Sequence, residues 1–233
     1  MGYVPNAMSK IEPLDRGSLS ARVYATLRES LMSGQFRPGQ RLVMQDLADQ
    51  LGTSITPVRE ACMRLVSEGG LHLRSGRFAI VPPMTLARYM EVRTIRLALE
   101  GLATRIAAEK ATKEEIAGLL EIHPVYEQAD NSEDSDLAYQ YNRDFHFAVY
   151  RMSKMMMLVA HIESLWVSMG PMFTVFFTRG QRRYFGADEH MNVIRAIQAG
   201  DGAAAEAAIT RDIISGGEDF IRFLQQHPEY SAE

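Results

Sequence analysis

The chain has 233 residues, 46% of them hydrophobic and 23% charged, the make-up of an ordinary folded protein with room for one large domain or two modest ones. Its single cysteine, Cys62, excludes an internal disulfide framework and a cysteine-rich zinc cluster, and fits a reducing, cytoplasmic setting. The longest charge-free apolar stretch, Leu165 to Thr178, has 14 residues and contains Pro171, short of the ~20 that a spanning helix needs, so no membrane span is expected.

The net charge of −4 conceals an asymmetry. Residues 1–83 hold 10 Lys/Arg against 7 Asp/Glu, and residues 84–233 hold 15 against 22. A basic segment joined to an acidic remainder points to a polyanion-binding module carried by a different domain.

Residues 1–17, with Pro5, Pro13 and Gly17 and no periodic pattern, read as a tail. Ser18 can cap a first helix whose apolar positions are Leu19, Val23, Leu27 and Leu31; Gly34 ends it. A turn at Phe36-Arg37-Pro38-Gly39 leads to a short second helix with Leu47, Ala48 and Leu51 facing inward. Gly52 breaks it, and a third helix opens at Thr53-Ser54-Ile55-Thr56-Pro57, with Ser54 or Thr56 as N-cap. Its inward face is Val58, Ala61, Cys62 and Leu65 (i, i+3, i+4, i+7), which leaves Arg59, Met63 and Arg64 outward.

Two helices joined by a short glycine-containing turn, the second opening with small hydroxyl residues and bearing an outward arginine, follow helix-turn-helix logic. Small residues let the helix N-terminus approach a phosphate, and Arg59 can then reach a base edge or a phosphate. Beyond Gly69-Gly70, alternating Leu71 and Leu73, the turn Arg74-Ser75-Gly76-Arg77, and alternating Phe78 and Ile80 predict a hairpin with a basic tip. An outward arginine alone marks only a solvated helix face. Helix pair, hydroxyl-rich N-terminus and basic wing together favour DNA binding.

Pro82-Pro83 reads as a linker, and the rest of the chain as helices. A long amphipathic stretch runs from Thr85 to Lys110, with Met90, Ile95, Leu99, Leu102 and Ile106 among its apolar residues. Thr112-Lys113-Glu114-Glu115 is a capping box for a helix that Pro124 is expected to interrupt. Helices over Leu137 to about Met152, Met155 to Phe177 with a bend at Gly170-Pro171, Asp188 to Ala199, and Ala203 to Gln225 complete an all-α region. The four methionines between 152 and 157 read as core filling. The fold class is therefore mainly α: a winged helix-turn-helix over 18–82 and a helical bundle over 83–233.

Four positions in the bundle carry chemistry. Asn142 and His146 share a helix face at i, i+4. His190 lies eleven residues before Asp201 and Asp212 eleven after it, so both sit about 16 Å from the turn, level across an antiparallel helix pair. Two imidazoles, a carboxylate and an amide oxygen can converge on a divalent cation and leave positions open; ordinary core or surface histidines are the competing reading. Trp166 and Tyr141 read as core, and His72, His123, His161 and His227 as structural or surface residues.

The run Leu47-Ala48, Leu51-Gly52-Thr53-Ser54-Ile55-Thr56-Pro57-Val58-Arg59-Glu60-Ala61, Arg64-Leu65 and Glu68-Gly69 resembles the winged-helix signature of GntR-family bacterial transcriptional regulators. The resemblance places the family's DNA contacts on Gln45, Ile55, Thr56, Arg59, Ser75 and Gly76, with Arg77 beside them at the wing tip. It also implies that Ile55 stands where the family usually has an arginine. Residues 86–225 resemble the all-helical FCD effector domain of the FadR-type members, through Arg96-Leu97-Ala98-Leu99-Glu100, Asn142-Arg143-Asp144-Phe145-His146, Glu189-His190 with Ala196 and Gly200-Asp201, and Ala208 to Ile213. Many members hold a metal there with Asp, His, His and His. This chain has Asn142 for the Asp and Asp212 for the last His, so the implied ligand set is Asn142, His146, His190 and Asp212, suited to Zn, Ni, Mn or Fe(II).

The resemblance further places Arg96 toward the pocket, where it can clamp a carboxylate; an ion pair with Glu100 at i+4 is the plainer role, and the two are compatible. The implied protein is a cytoplasmic, homodimeric, non-enzymatic regulator that binds a palindromic double-stranded operator and answers to a small organic acid. The alternatives are a metalloregulator whose signal is the metal itself, a metal-dependent enzyme with a DNA-binding appendage, and a ligand-free dimerisation domain.

Overall fold

The computed structural model describes residues 19–132, 134–179 and 186–228. The expected tail and the Ser18 cap lie outside the described residues.

The N-terminal unit is built from α1 (Leu19–Met32), β1 (Arg41–Val43), α2 (Met44–Gln50), α3 (Ile55–Ser67), β2 (His72–Ser75) and β3 (Phe78–Ile80). The i, i+4 row of Val23, Leu27 and Leu31 on α1 meets Val58, Ala61, Cys62 and Leu65 of α3, all buried. Gly34, Gly52 and Gly69, which follow the three helices, have φ between 61° and 72°, the left-handed conformation that a side chain resists. Ser54 stands at the N-cap of α3 in extended backbone but makes no side-chain capping bond, which leaves its hydroxyl free to meet a phosphate.

Two readings of this unit change. β1 was not expected; it pairs antiparallel with β3, so the wing is a three-stranded sheet of order β1-β3-β2. Because β3 is the central strand, its core-facing residue is the small Ala79. Phe78 and Ile80 are half-buried on the other face, and Leu73 is 39% exposed.

The remaining helices are α4 (Leu86–Lys110), α5 (Lys113–Asn131), α6 (Ser135–Met152), α7 (Met156–Arg179), α8 (Ala187–Gln198) and α9 (Gly202–Gln226). α4 lies along α9 and also touches α6 and α7, while α5 bridges α6 and α8. The predicted capping box is present: Thr112 Oγ1 accepts from Glu115 N, and the Glu115 carboxylate accepts from Thr112 N. Pro124 does not interrupt α5, which runs through it while packed between two neighbours.

α4 departs most from its apolar pattern. Met90 and Ile95 are exposed (37% and 41%), and the buried row is Tyr89, Val92, Arg96, Glu100, Ala103 and Ala107. Charged side chains occupy the inward face because Arg96 lines an internal cavity and Glu100 is its buried ion-pair partner. The methionine run is also corrected: Met152 is buried, but Met155, Met156 and Met157 are exposed. Lys154, at φ 59°, turns the chain between α6 and α7 and throws the run outward.

The two units meet along α1 and α7. Gly170 of α7 lies against the backbone of Leu31 and Met32, and Gly34 against Thr174. Arg28 pairs with Glu163 at 2.9 Å, Arg143 with Glu29 at 2.8 Å, and Tyr139 Oη donates to Met32 O at 2.7 Å. Arg88 Nη2 donates to Gly69 O at 2.7 Å.

Candidate functional sites

A groove between α3 and the wing is lined by Arg41, Arg59, Ser75, Gly76, Arg77 and Phe78. Arg59 and Arg77 are exposed at its edges. Arg41, which the sequence reading missed, projects from the unexpected β1 and stacks its guanidinium 3.9 Å from the centre of the Phe78 ring. Gln45 is exposed on α2 and bonded to Asp49 at 2.8 Å; Thr56 is exposed in the first turn of α3. Ile55 is half-buried and packs on the core, so it anchors the helix start rather than presenting itself outward. Arg64 is held away from the groove, 3.6 Å over the Tyr24 ring.

The second site is a cavity of about 80 Å³ inside the helical unit, lined by parts of α4, α5, α6, α7 and α9 and by Gly186 just before α8. At one end Asn142, His146 and Asp212 line it, and His190 lies next to Asp212 and His146 without itself being part of the lining. His146 Nε2 lies 3.2 Å from Asp212 Oδ2, and His190 Nε2 lies 3.8 Å from Asp212 Oδ1. The helix pair thus sets His190 and Asp212 level, as the symmetric spacing about Asp201 requires. One ligand atom from each of His146, His190 and Asp212 can be chosen so that all lie within 4.8 Å of one another. Gly186 keeps this end open: a Cβ there would come 3.1 Å from Asp212 Oδ1 and 2.8 Å from Tyr126 Oη.

His190 is fully buried, and neither ring nitrogen makes a hydrogen bond. Its ring stacks on Phe145, centroids 4.0 Å apart. Burial pushes its pKa down to about 3, against the smaller opposing pull of Asp212, so the ring is neutral with a lone pair available. A buried polar ring without partners costs about 1–3 kcal/mol, and a cation on its lone pair removes the share due to that nitrogen. The donor set of two imidazoles, a carboxylate and an amide oxygen fits a divalent transition metal.

Arg96 is 4% exposed and lines the same cavity. The plainer of its two expected roles is present: its Nε and Nη2 donate to Glu100 Oε1 and Oε2 at 2.7 and 3.0 Å. The pairing with Glu100 outweighs burial and raises the arginine pKa, so the guanidinium stays charged. Trp166 is buried and walls the cavity along with Phe173, Phe176, Phe177 and Tyr89. Asp219, Gly216 and Gly217 complete the lining on α9. His123, buried, sits 2.9 Å from Ala187 O and is structural; His72 and His161 are exposed. Tyr141 is half-buried and not part of the cavity lining. Tyr126 and Asp219 in the cavity lining, and Tyr150 beside His146, are residues that the sequence reading did not single out.

Comparison with known proteins decides the family. Residues 19–81 match the model described as bacterial regulatory proteins, gntR family, and residues 91–214 match the FCD domain. The chain belongs to the GntR family of bacterial regulatory proteins. A GntR-family relative, the HTH-type transcriptional regulator McbR of Escherichia coli K12, is 40% identical over 154 residues, 66% of this chain and 70% of that protein. The solved structure of E. coli McbR/YncC superposes with a TM-score of 0.81 at 31% identity, over 91% of this chain and 99% of that one. A probable D-xylose utilization operon transcriptional repressor of Paenarthrobacter nicotinovorans is 28% identical over 205 residues, 86% of this chain and 88% of its own. The GntR-family relatives are transcriptional regulators that bind DNA operators, and this chain is one of them rather than an enzyme. Among the described residues no helix is long and apolar enough to cross a membrane.

Proposed function

We propose that residues 18–82 bind one half of a palindromic operator, that residues 83–233 pair two copies of the chain, and that a divalent cation in the cavity recruits a small organic acid which changes operator affinity. The α3 N-terminus and Arg59 enter the major groove. Arg41, Ser75, Gly76 and Arg77 follow the adjoining backbone, with Gln45 and Thr56 beside them. The regulator acts in the cytoplasm, where its operator is.

The observation that carries the effector reading is the partnerless, neutral His190 set against Asp212 and His146 in one cavity. Asn142, His146, His190 and Asp212 are the proposed ligands; Zn, Ni, Mn or Fe(II) suits them. Charge gives the order of binding. Arg96 is committed to Glu100 and Asp219 is paired with Arg222, while Asp212 faces the two imidazoles, so a cation beside Asp212 favours the entry of an anion. Arg96, whose Nε and one Nη2 hydrogen are taken by Glu100, lines the cavity and offers the rest of its guanidinium fork to the acid's carboxylate. The acid shifts operator affinity only by its differential affinity for the two poses of the heads, typically 1–3 kcal/mol.

Metal content of the purified protein, beside His146→Ala and His190→Ala, tests this. About one equivalent, lost in both variants, is the expected result. No metal in any form after reloading overturns it. The small volume of the cavity, about 80 Å³, also favours a second reading in which the metal is itself the signal. Operator affinity that responds to metal alone, and not to any small carboxylic acid, selects that reading.

A further inference from the structure

The carboxylate of Glu100, 0% exposed on α4, is surrounded by donors. Oε1 accepts from Arg96 Nε at 2.7 Å and from Trp166 Nε1 at 2.9 Å. Oε2 accepts from Arg96 Nη2 at 3.0 Å and from Tyr150 Oη at 2.6 Å. A carboxylate that accepts four hydrogen bonds, two of them from one guanidinium, is ionised and has no proton to offer. The only hydroxyl proton of Tyr150 therefore points at Glu100. Its oxygen lies 2.8 Å from His146 Nδ1 and can act there only as an acceptor.

His146 must then carry a hydrogen on Nδ1. Its other nitrogen, Nε2, is the one that faces Asp212 in the cavity. We propose that Tyr150, held by Glu100, is the positioning residue that fixes His146 in the Nδ1–H tautomer and aims its Nε2 lone pair at the metal position. This rests on the metal reading above. The arrangement lies on a single helix face, since Asn142, His146 and Tyr150 follow one another at i, i+4 and i+8 of α6. It also reaches beyond the metal, because the same Glu100 holds Arg96 and Trp166 in the cavity wall. One buried carboxylate thus sets both the metal ligand and the residues that meet the effector.

The test is Tyr150→Phe, which keeps the ring and removes the acceptor, with zinc alone as the probe. Zinc affinity is expected to fall about 10- to 100-fold, as for other removals of the partner of a ligating histidine. Phe147→Leu controls for packing: this buried ring is 5.8 Å from Tyr150 and is not among the cavity-lining residues. It should lower thermal stability and leave zinc affinity within about twofold. ¹⁵N NMR of the histidine rings supplies a readout that packing does not move: His146 in the wild type shows Nδ1–H, and Tyr150→Phe loses that protected proton. Equal zinc affinity in Tyr150→Phe and wild type, or an Nε2–H tautomer of His146 in the wild type, overturns the proposal. Wild-type protein that binds no zinc overturns the metal reading instead, and the His146 tautomer, read in metal-free protein under mildly alkaline conditions, still decides the role of Tyr150.

Discussion

Replacing Gly170 by alanine tests how the DNA-binding unit is seated on the helical one. A Cβ at Gly170 would lie 2.4 Å from Leu31 O, 2.8 Å from Met32 Cα and 3.0 Å from Met32 O. These are backbone atoms at the end of α1, so no side chain can swing aside. The helices must part by about 1 Å to restore ordinary packing distances, and overpacking of this kind costs about 1–3 kcal/mol. Against that, alanine is better than glycine inside a helix by about 0.5–1 kcal/mol. The net expectation is a loss of about 1–2 kcal/mol, or a melting temperature lower by roughly 2–8 °C for a chain of this size. Gly118→Ala is the matched comparison: it lies in α5 with nothing within 4 Å of its Cβ position, so only the propensity gain remains and the melting temperature rises. Thermal unfolding of the three proteins, with operator binding measured alongside, reads the effect. A Gly170→Ala protein as stable as Gly118→Ala, with unchanged operator affinity, would refute the close seating of α1 on α7.

Other expectations follow from the same structure. Arg59→Ala and Arg41→Ala each weaken operator binding, and the slope of log affinity against log salt becomes shallower by about 0.9 for every phosphate that is no longer neutralised; unchanged affinity and slope in both variants would remove the groove from the DNA interface. His190→Phe keeps the stack on Phe145 and removes two unsatisfied nitrogens, so the metal-free protein should gain about 1 kcal/mol in denaturant unfolding. The same variant should no longer be stabilised by zinc, and a zinc response equal to the wild type's would exclude His190 as a ligand. Cys62 is buried in α3, and burial pushes its thiol up to about 11. Maleimide or disulfide reagents should label it only at the rate of unfolding, and rapid labelling of the native protein would contradict the packing of α3 on α1.

The DNA-binding unit was legible because its helices are short and cleanly patterned: Val58, Ala61, Cys62 and Leu65 all face inward where the spacing puts them. The placement of His190 against Asp212 was legible for a geometric reason, equal distance from the Asp201 turn. α4 was not, because hydrophobic periodicity assumes that charge faces water. Here Arg96 and Glu100 neutralise each other inside, and Met90 and Ile95 are left outside. β1 was missed because a three-residue strand has no period to detect, and Arg41 was missed with it. Tyr150 did leave a signal, the continuation of the Asn142 and His146 ladder by one more turn, but its role depends on Glu100 from a helix 50 residues away in sequence.

α7 offers its aromatic residues to the cavity and its small ones to the end of α1. The cavity and the DNA-binding unit therefore share a wall. This limits how the two units can be recombined. A chimera cut at Pro82-Pro83 brings in a foreign first helix that must fit the notch at Gly170 and the surface around Thr174. Grafts that carry matching α7 residues with the new head should keep their ligand response; grafts joined at the linker alone should still bind DNA, but with an affinity that no longer follows the effector.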